Sequence, residues 1–67
     1  MKYIYQIINI PWVNSTIDVW PDGHPETKTR IKVMGFKGPS GNNNSLLIYA
    51  IKEQFNQETV EIQEFTP

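Results

Sequence analysis

Gly35-Phe36-Lys37-Gly38-Pro39-Ser40-Gly41 runs through Asn42-Asn43-Asn44-Ser45 into Leu46-Leu47-Ile48-Tyr49-Ala50-Ile51-Lys52-Glu53-Gln54-Phe55. This stretch decides the fold, because a strand stops where it begins and the single strong helical pattern follows. Leu47, Ile48, Ile51 and Phe55 recur at helical spacing with Ala50 beside them, and Lys52, Glu53 and Gln54 supply a polar side. Burying four such side chains contributes about 1.5–3 kcal/mol each. That holds a helix on a sheet where intrinsic propensity alone does not. Asparagine and serine cap helices better than they fill them, so Ser40 and Asn44 both compete for the helix start.

Upstream, Thr27 to Met34 alternates. Thr27, Thr29, Ile31 and Val33 share one face; Lys28, Arg30, Lys32 and Met34 share the other. A period of two marks a strand with one solvated face. Pro21-Asp22-Gly23 precedes it and is a turn signal, since proline presets φ and glycine accepts positive φ. Thr16 to Trp20 is then the other arm of a hairpin, with Ile17 and Val19 on one face and Asp18 and Trp20 on the other. Before it, Tyr3 to Ile10 is aromatic and β-branched, with Tyr3, Tyr5 and Ile7 opposite Ile4, Ile8 and Ile10. Two apolar faces imply a strand covered on both sides or one that covers a partner. Pro11 ends this strand or sets it on an edge.

Downstream, Asn56-Gln57 breaks the helical pattern. Thr59 to Phe65 alternates again, with Val60, Ile62 and Glu64 opposite Glu61, Gln63 and Phe65. The predicted order is β-β-β-α-β. This is a single α+β domain over 1–67, a small antiparallel or mixed sheet of three to four strands with one helix packed on one face.

A chain of 67 residues buries only about 60% of its unfolded surface, so its core is marginal. There is no cysteine and one histidine, His24, which excludes disulfides, thiolate sites and histidine-rich metal clusters. No cofactor and no metal is expected; efficient packing or association, including a homo-oligomer, must stabilise the fold. Net charge is −1, with six Lys plus Arg against seven Asp plus Glu. That balance disfavours nucleic acid, whose binders carry a basic excess. It also supplies too few carboxylates for a DNA mimic. No apolar run reaches the roughly 18–20 residues that span a bilayer. Met1 to Tyr5, interrupted by Gln6 and Asn9, lacks a signal-peptide pattern, so no membrane partner and a cytoplasmic location are expected.

Four constellations remain. The Gly35–Gly41 turn has glycines, Lys37 and a helix start, the ingredients of an anion cradle. It lacks the Gly-Lys-Ser/Thr ending of a P-loop, and although Gly35 to Gly38 matches a Gly-x-x-Gly clamp, a strand precedes it. A tight turn with positive-φ glycines accounts for it more simply. Lys28, Arg30 and Lys32 form a basic row that tracks a phosphate backbone or lies solvated, partly paired with Glu61 or Glu58. Trp12 and Trp20 are costly in so short a chain, and tryptophan is enriched at binding hot spots. Trp20 shares a face with Asp18 and not with Ile17 and Val19, which makes it the better interface candidate. Asp18, Asp22 and His24 lie close in sequence, but no nucleophile accompanies them, and the chain has little room for a pocket of about 300 Å³.

From Asp22-Gly23 onward the chain resembles a small bacterial family of unknown function. The matching residues are Asp22-Gly23, Gly35-Phe36-Lys37-Gly38-Pro39-Ser40, Val60-Glu61 and Thr66-Pro67. The likeness covers about the last two-thirds of the chain. The cysteine of that family is Gly41 here, Asn42-Asn43-Asn44 looks inserted and the first strand added, so any role of the cysteine is lost. The resemblance implies an accessory role, often beside an AAA-type ATPase, and brings no catalytic residue.

These observations converge on a small non-enzymatic protein-interaction module, an accessory subunit or a phage or mobile-element inhibitor, that docks on a larger protein or self-associates. The expected partner-binding residues are Trp12, Trp20, Tyr3, Tyr5, Phe36 and Lys37, with the unpaired edge of the first strand as a second route. The alternative is a nucleic-acid binder using Lys28, Arg30, Lys32 and Lys37.

Overall fold

The computed structural model describes residues 1–9, 14–36 and 44–66. Its elements are β1 (Lys2–Asn9), β2 (Asn14–Pro21), a short 3-10 turn (Pro25–Thr27), β3 (Thr29–Met34), α1 (Asn44–Phe55) and β4 (Glu61–Glu64). The strands form one mixed sheet in the order β3-β2-β1-β4. β1 pairs antiparallel with β2 and parallel with β4, and β2 pairs antiparallel with β3. β1, β3 and β4 therefore run the same way, and α1 carries the chain from one edge of the sheet to the other. This is the predicted α+β architecture.

Pro21-Asp22-Gly23 forms the turn its residues demand. The His24 N–H donates to the Pro21 carbonyl at 2.9 Å, and Gly23 takes φ 89°. Positive φ at the third residue is what a type II turn needs and what glycine supplies without steric cost. The alternating Thr27–Met34 pattern is shortened at its start. Thr27 belongs to the 3-10 turn, where its N–H and hydroxyl donate to the His24 carbonyl, and β3 begins at Thr29.

One face of the sheet and α1 enclose the core. Tyr3 and Tyr5 from β1, Ile17 and Val19 from β2, and Ile31 and Val33 from β3 meet Leu47 and Ile51 of α1, with Phe36 and Val60 closing the ends. Tyr3 stacks on Phe55 with centroids 4.9 Å apart, and Tyr5 meets the edge of Phe36 at 6.4 Å. Burial pushes the Tyr5 hydroxyl above its ordinary pKa, and Glu64 adds to the effect. The buried Ser15 hydroxyl donates to the Phe36 carbonyl, which fixes the chain as it leaves β3. At its far end α1 stops at Asn56, which takes φ 54°, while the Gln57 N–H donates to the Lys52 carbonyl at 3.1 Å. A left-handed residue followed by this six-to-one bond is the Schellman arrangement that satisfies orphan helix carbonyls. The helix begins at Asn44; Ser40, the other start considered, lies outside the described residues.

The first strand departs from expectation in one respect. It is not an edge. β4 returns beside it and is zipped to it beyond the ladder by Glu61 N–H to the Met1 carbonyl (2.9 Å) and Phe65 N–H to the Tyr5 carbonyl (2.7 Å). The cause is the helical crossover, which delivers the last strand to the far side of the sheet. The two apolar faces of β1 then have separate uses: Tyr3 and Tyr5 face α1, and Ile4 lies under a cluster on the opposite face. A register shift between Ile7 and Asn9 leaves Ile8 exposed.

Candidate protein-docking surface

The face of the sheet away from α1 carries Asp18, Trp20, Lys28 and Arg30 from among the side chains singled out in the sequence, and they engage one another. Trp20 is 4% exposed, lies opposite Ile4 across the strand pair, and meets Phe65 with ring centroids 5.5 Å apart at 65°. The Lys28 ammonium sits 4.7 Å from the indole centroid, a cation–π distance. Beside it Arg30 grips Asp18 with both arms, Nε to Oδ1 at 2.9 Å and the second nitrogen to Oδ2 at 3.2 Å. The two residues are cross-strand partners. The Arg30 hydrogen bonds hold the Asp18 carboxyl below the usual carboxylate range, against an opposing push from burial.

These contacts reassign several residues. Tyr3, Tyr5 and Phe36 are buried under α1, and Trp20 is buried on the opposite face, so none of the four offers its ring to a partner in this fold. The reason is size: so short a chain needs its aromatics for packing. Trp12 and Lys37 lie outside the described residues. Within the basic row, Arg30 pairs with Asp18 and not with Glu61 or Glu58, because β4 sits at the opposite edge from β3. Lys28 caps Trp20, which leaves Lys32 as the member with no such contact among the described residues. Asp18 and His24 are also drawn apart chemically. The His24 ring pairs with Glu26 at 3.1 Å in solvent, and Asp18 belongs to Arg30. Among the described residues no three of His, Cys, Asp and Glu group as a metal site, and no helix is long and apolar enough to cross a membrane.

The unengaged surface is elsewhere, along the outer edge of β3. Among the described residues β3 pairs only with β2. Its free side borders a groove of about 440 Å³, lined by Lys32, Val33 and Met34 from the strand and by Leu46, Tyr49, Ala50, Glu53 and Gln54 from α1. The helix residues fall at helical spacing, a second stripe beside the buried Leu47 and Ile51 and the partly buried Ile48 and Phe55. Met34 is 71% exposed, Tyr49 64% and Leu46 41%. Leu46 approaches the strand end closely: a Cβ on Gly35 (φ 81°) would meet its Cδ1 at 3.4 Å. The Glu53 carboxylate beside Tyr49 pushes that hydroxyl above its ordinary pKa.

Of these groove residues only Lys32 is singled out in the sequence, as a nucleic-acid candidate; none is among the expected protein-binding residues. Two signals point to them. Leu46 and Tyr49 are large apolar residues outside the core stripe, and Met34 is the one apolar member of the row Lys28-Arg30-Lys32-Met34. A second notch of about 300 Å³ lies between Trp20, Ile4, Phe65 and Pro25, with Asp22, Gln63, Glu64 and Thr66 at its rim.

Set against protein-family models, curated proteins and solved structures, the chain matches none.

Proposed function

We propose that this chain is a non-enzymatic protein-interaction module that docks through the outer edge of β3 and the groove beside it. The observation that carries this reading is the coincidence of a strand edge with no partner among the described residues and three exposed apolar side chains, Met34, Leu46 and Tyr49, on one open groove. An unpaired edge offers main-chain hydrogen bonds to an added strand, and a flanking groove receives every second side chain. The accessory or inhibitory role and the cytoplasmic setting expected from the sequence belong to the same proposal.

The test is affinity capture from the native host with wild-type chain and with the Tyr49→Ala variant, each first shown to be folded by circular dichroism. A protein retained by wild type and lost from the variant is expected. Identical retention by both would contradict the assignment of this surface.

Nucleic-acid binding is the weaker alternative. Two of its four candidate cations are engaged, Arg30 with Asp18 and Lys28 with Trp20, and Trp20 is too buried to stack on a base. A salt-dependent mobility shift with single-stranded RNA or DNA would revive it.

A further inference from the structure

We infer that the occupant of the β3 groove is an extended segment of another protein in which apolar residues alternate with acidic ones. The inference rests on the docking surface proposed above and adds the chemistry of its ligand.

The two sides of β3 differ in character. Side chains alternate across a strand, so a segment added to its outer edge sends one set of residues towards α1 and the other towards the opposite face. On the α1 side the added residues meet Val33, Tyr49, Ala50 and Leu46, an apolar stretch with Glu53 and Gln54 also in the lining. On the opposite face they lie beside Arg30 and Lys32, both exposed, with Lys28 just upstream. Asp18 neutralises one of these charges, and the row stays net positive. Glu53 lies on the helix side and therefore does not face the acidic set. Helix residues 46–54 rise about 12 Å, the span of roughly four residues of extended strand. The pattern fitted is thus short: apolar, acidic, apolar, acidic.

The same charges argue against a second copy of β3 as the occupant. Antiparallel pairing of two β3 edges sets Arg30 and Lys32 against the same residues of the other copy, and like charges directly opposite destabilise a ladder. Charge on an exposed edge is a known guard against self-pairing. β4 of another copy comes nearer the pattern, since Glu61 and Gln63 alternate with Ile62, but Gln63 carries no charge and Ile62 packs against its own chain's core.

The experiment titrates the intact chain, followed by amide NMR, with three acetylated eight-residue peptides. One alternates Val with Glu, one alternates Val with Lys, and one is the Val-Glu peptide broken by a central proline. The expected result is perturbation of amides in Thr29–Met34 and in the 46–54 stripe by the Val-Glu peptide. Its affinity should exceed that of the Val-Lys peptide at least about fivefold at low salt, with the gap shrinking at high salt and the proline version not binding. Lys32→Glu, at an exposed position, should reverse the preference. Equal binding of both charged peptides at the β3 edge would overturn the inference and leave the docking surface standing. So would concentration-dependent self-association of the chain alone that protects the same amides. Binding of neither peptide by the folded chain at millimolar concentration, or perturbations confined to Trp20 and Phe65, would overturn both.

Discussion

Two apolar notches among the described residues are built to different ends. The notch on the open face is lined by Ile4, Trp20 and Phe65, whose side chains already pack on one another and under the Lys28 ammonium. The groove between β3 and α1 is lined by Met34, Leu46 and Tyr49, which are exposed and lie next to a backbone edge with no partner among the described residues. The first holds one of the two tryptophans and buries it. The second has smaller apolar side chains and leaves them exposed. Residue type alone, tryptophan above all, therefore does not locate an interface; a side chain must still be accessible after the fold has taken what it needs.

Substitutions at the two notches should separate stability from binding. The largest effect is expected at Trp20. Trp20→Ala removes a buried indole from beneath Phe65 and Lys28 and should cost about 3 kcal/mol or more of stability, a large share of what a domain of this size has. Urea unfolding followed by circular dichroism measures it. A loss under about 0.5 kcal/mol, the range of a surface substitution, would erase the distinction between the notches. Next in size is Tyr49→Ala, expected to leave the unfolding midpoint nearly unchanged while weakening binding at the β3 groove about tenfold, or about 1.4 kcal/mol. Titration calorimetry against the captured partner reads the second number and denaturation the first.

Phe65→Ala should give a smaller loss than Trp20→Ala, about 1 kcal/mol, since Phe65 is 40% exposed and contributes chiefly its edge-to-face contact with Trp20. Its binding at the β3 groove should be that of wild type. The smallest effect concerns pH. The Asp18 carboxyl is held below its unfolded value, near 3.8, by Arg30. Its contribution to stability is therefore present above that value and is lost as pH falls through the lower folded value. Asp18→Asn should be less stable than wild type at pH 6 by less than about 1 kcal/mol, as suits a pair exposed on its arginine side. The gap should narrow below about pH 4. A gap constant from pH 6 to pH 2 would mean that the Asp18–Arg30 pair is not its source.

Much of the fold is legible in the residues because the local signals agree with one another. Pro21-Asp22-Gly23, the alternation through Met34 and the stripe from Leu47 to Phe55 each specify one element, and those elements are present. Less legible is which strands become neighbours. Nothing between Tyr3 and Ile10 says that the last strand will return beside it; that follows from the helix crossing the whole sheet, a long-range consequence with no short-range mark. The same gap explains the candidate site. Tyr3, Tyr5, Trp20 and Phe36 look like binding residues as long as their neighbours are unknown, and they become core residues once β1 is central and Phe36 is tied to Ser15. Met34, Leu46 and Tyr49 show the reverse. They look incidental in the sequence, and become a surface only when the end of β3 and the start of α1 come together at Gly35 and Leu46.

The most direct test of the docking surface is amide hydrogen exchange of the intact chain, alone and saturated with the protein captured from its host. Slowed exchange is expected in Thr29–Met34 and in Leu46–Gln54, with Glu61–Glu64 and the amides around Trp20 unchanged. Protection that instead falls on β4 or around Trp20, with β3 exchanging as in the unbound chain, would contradict it.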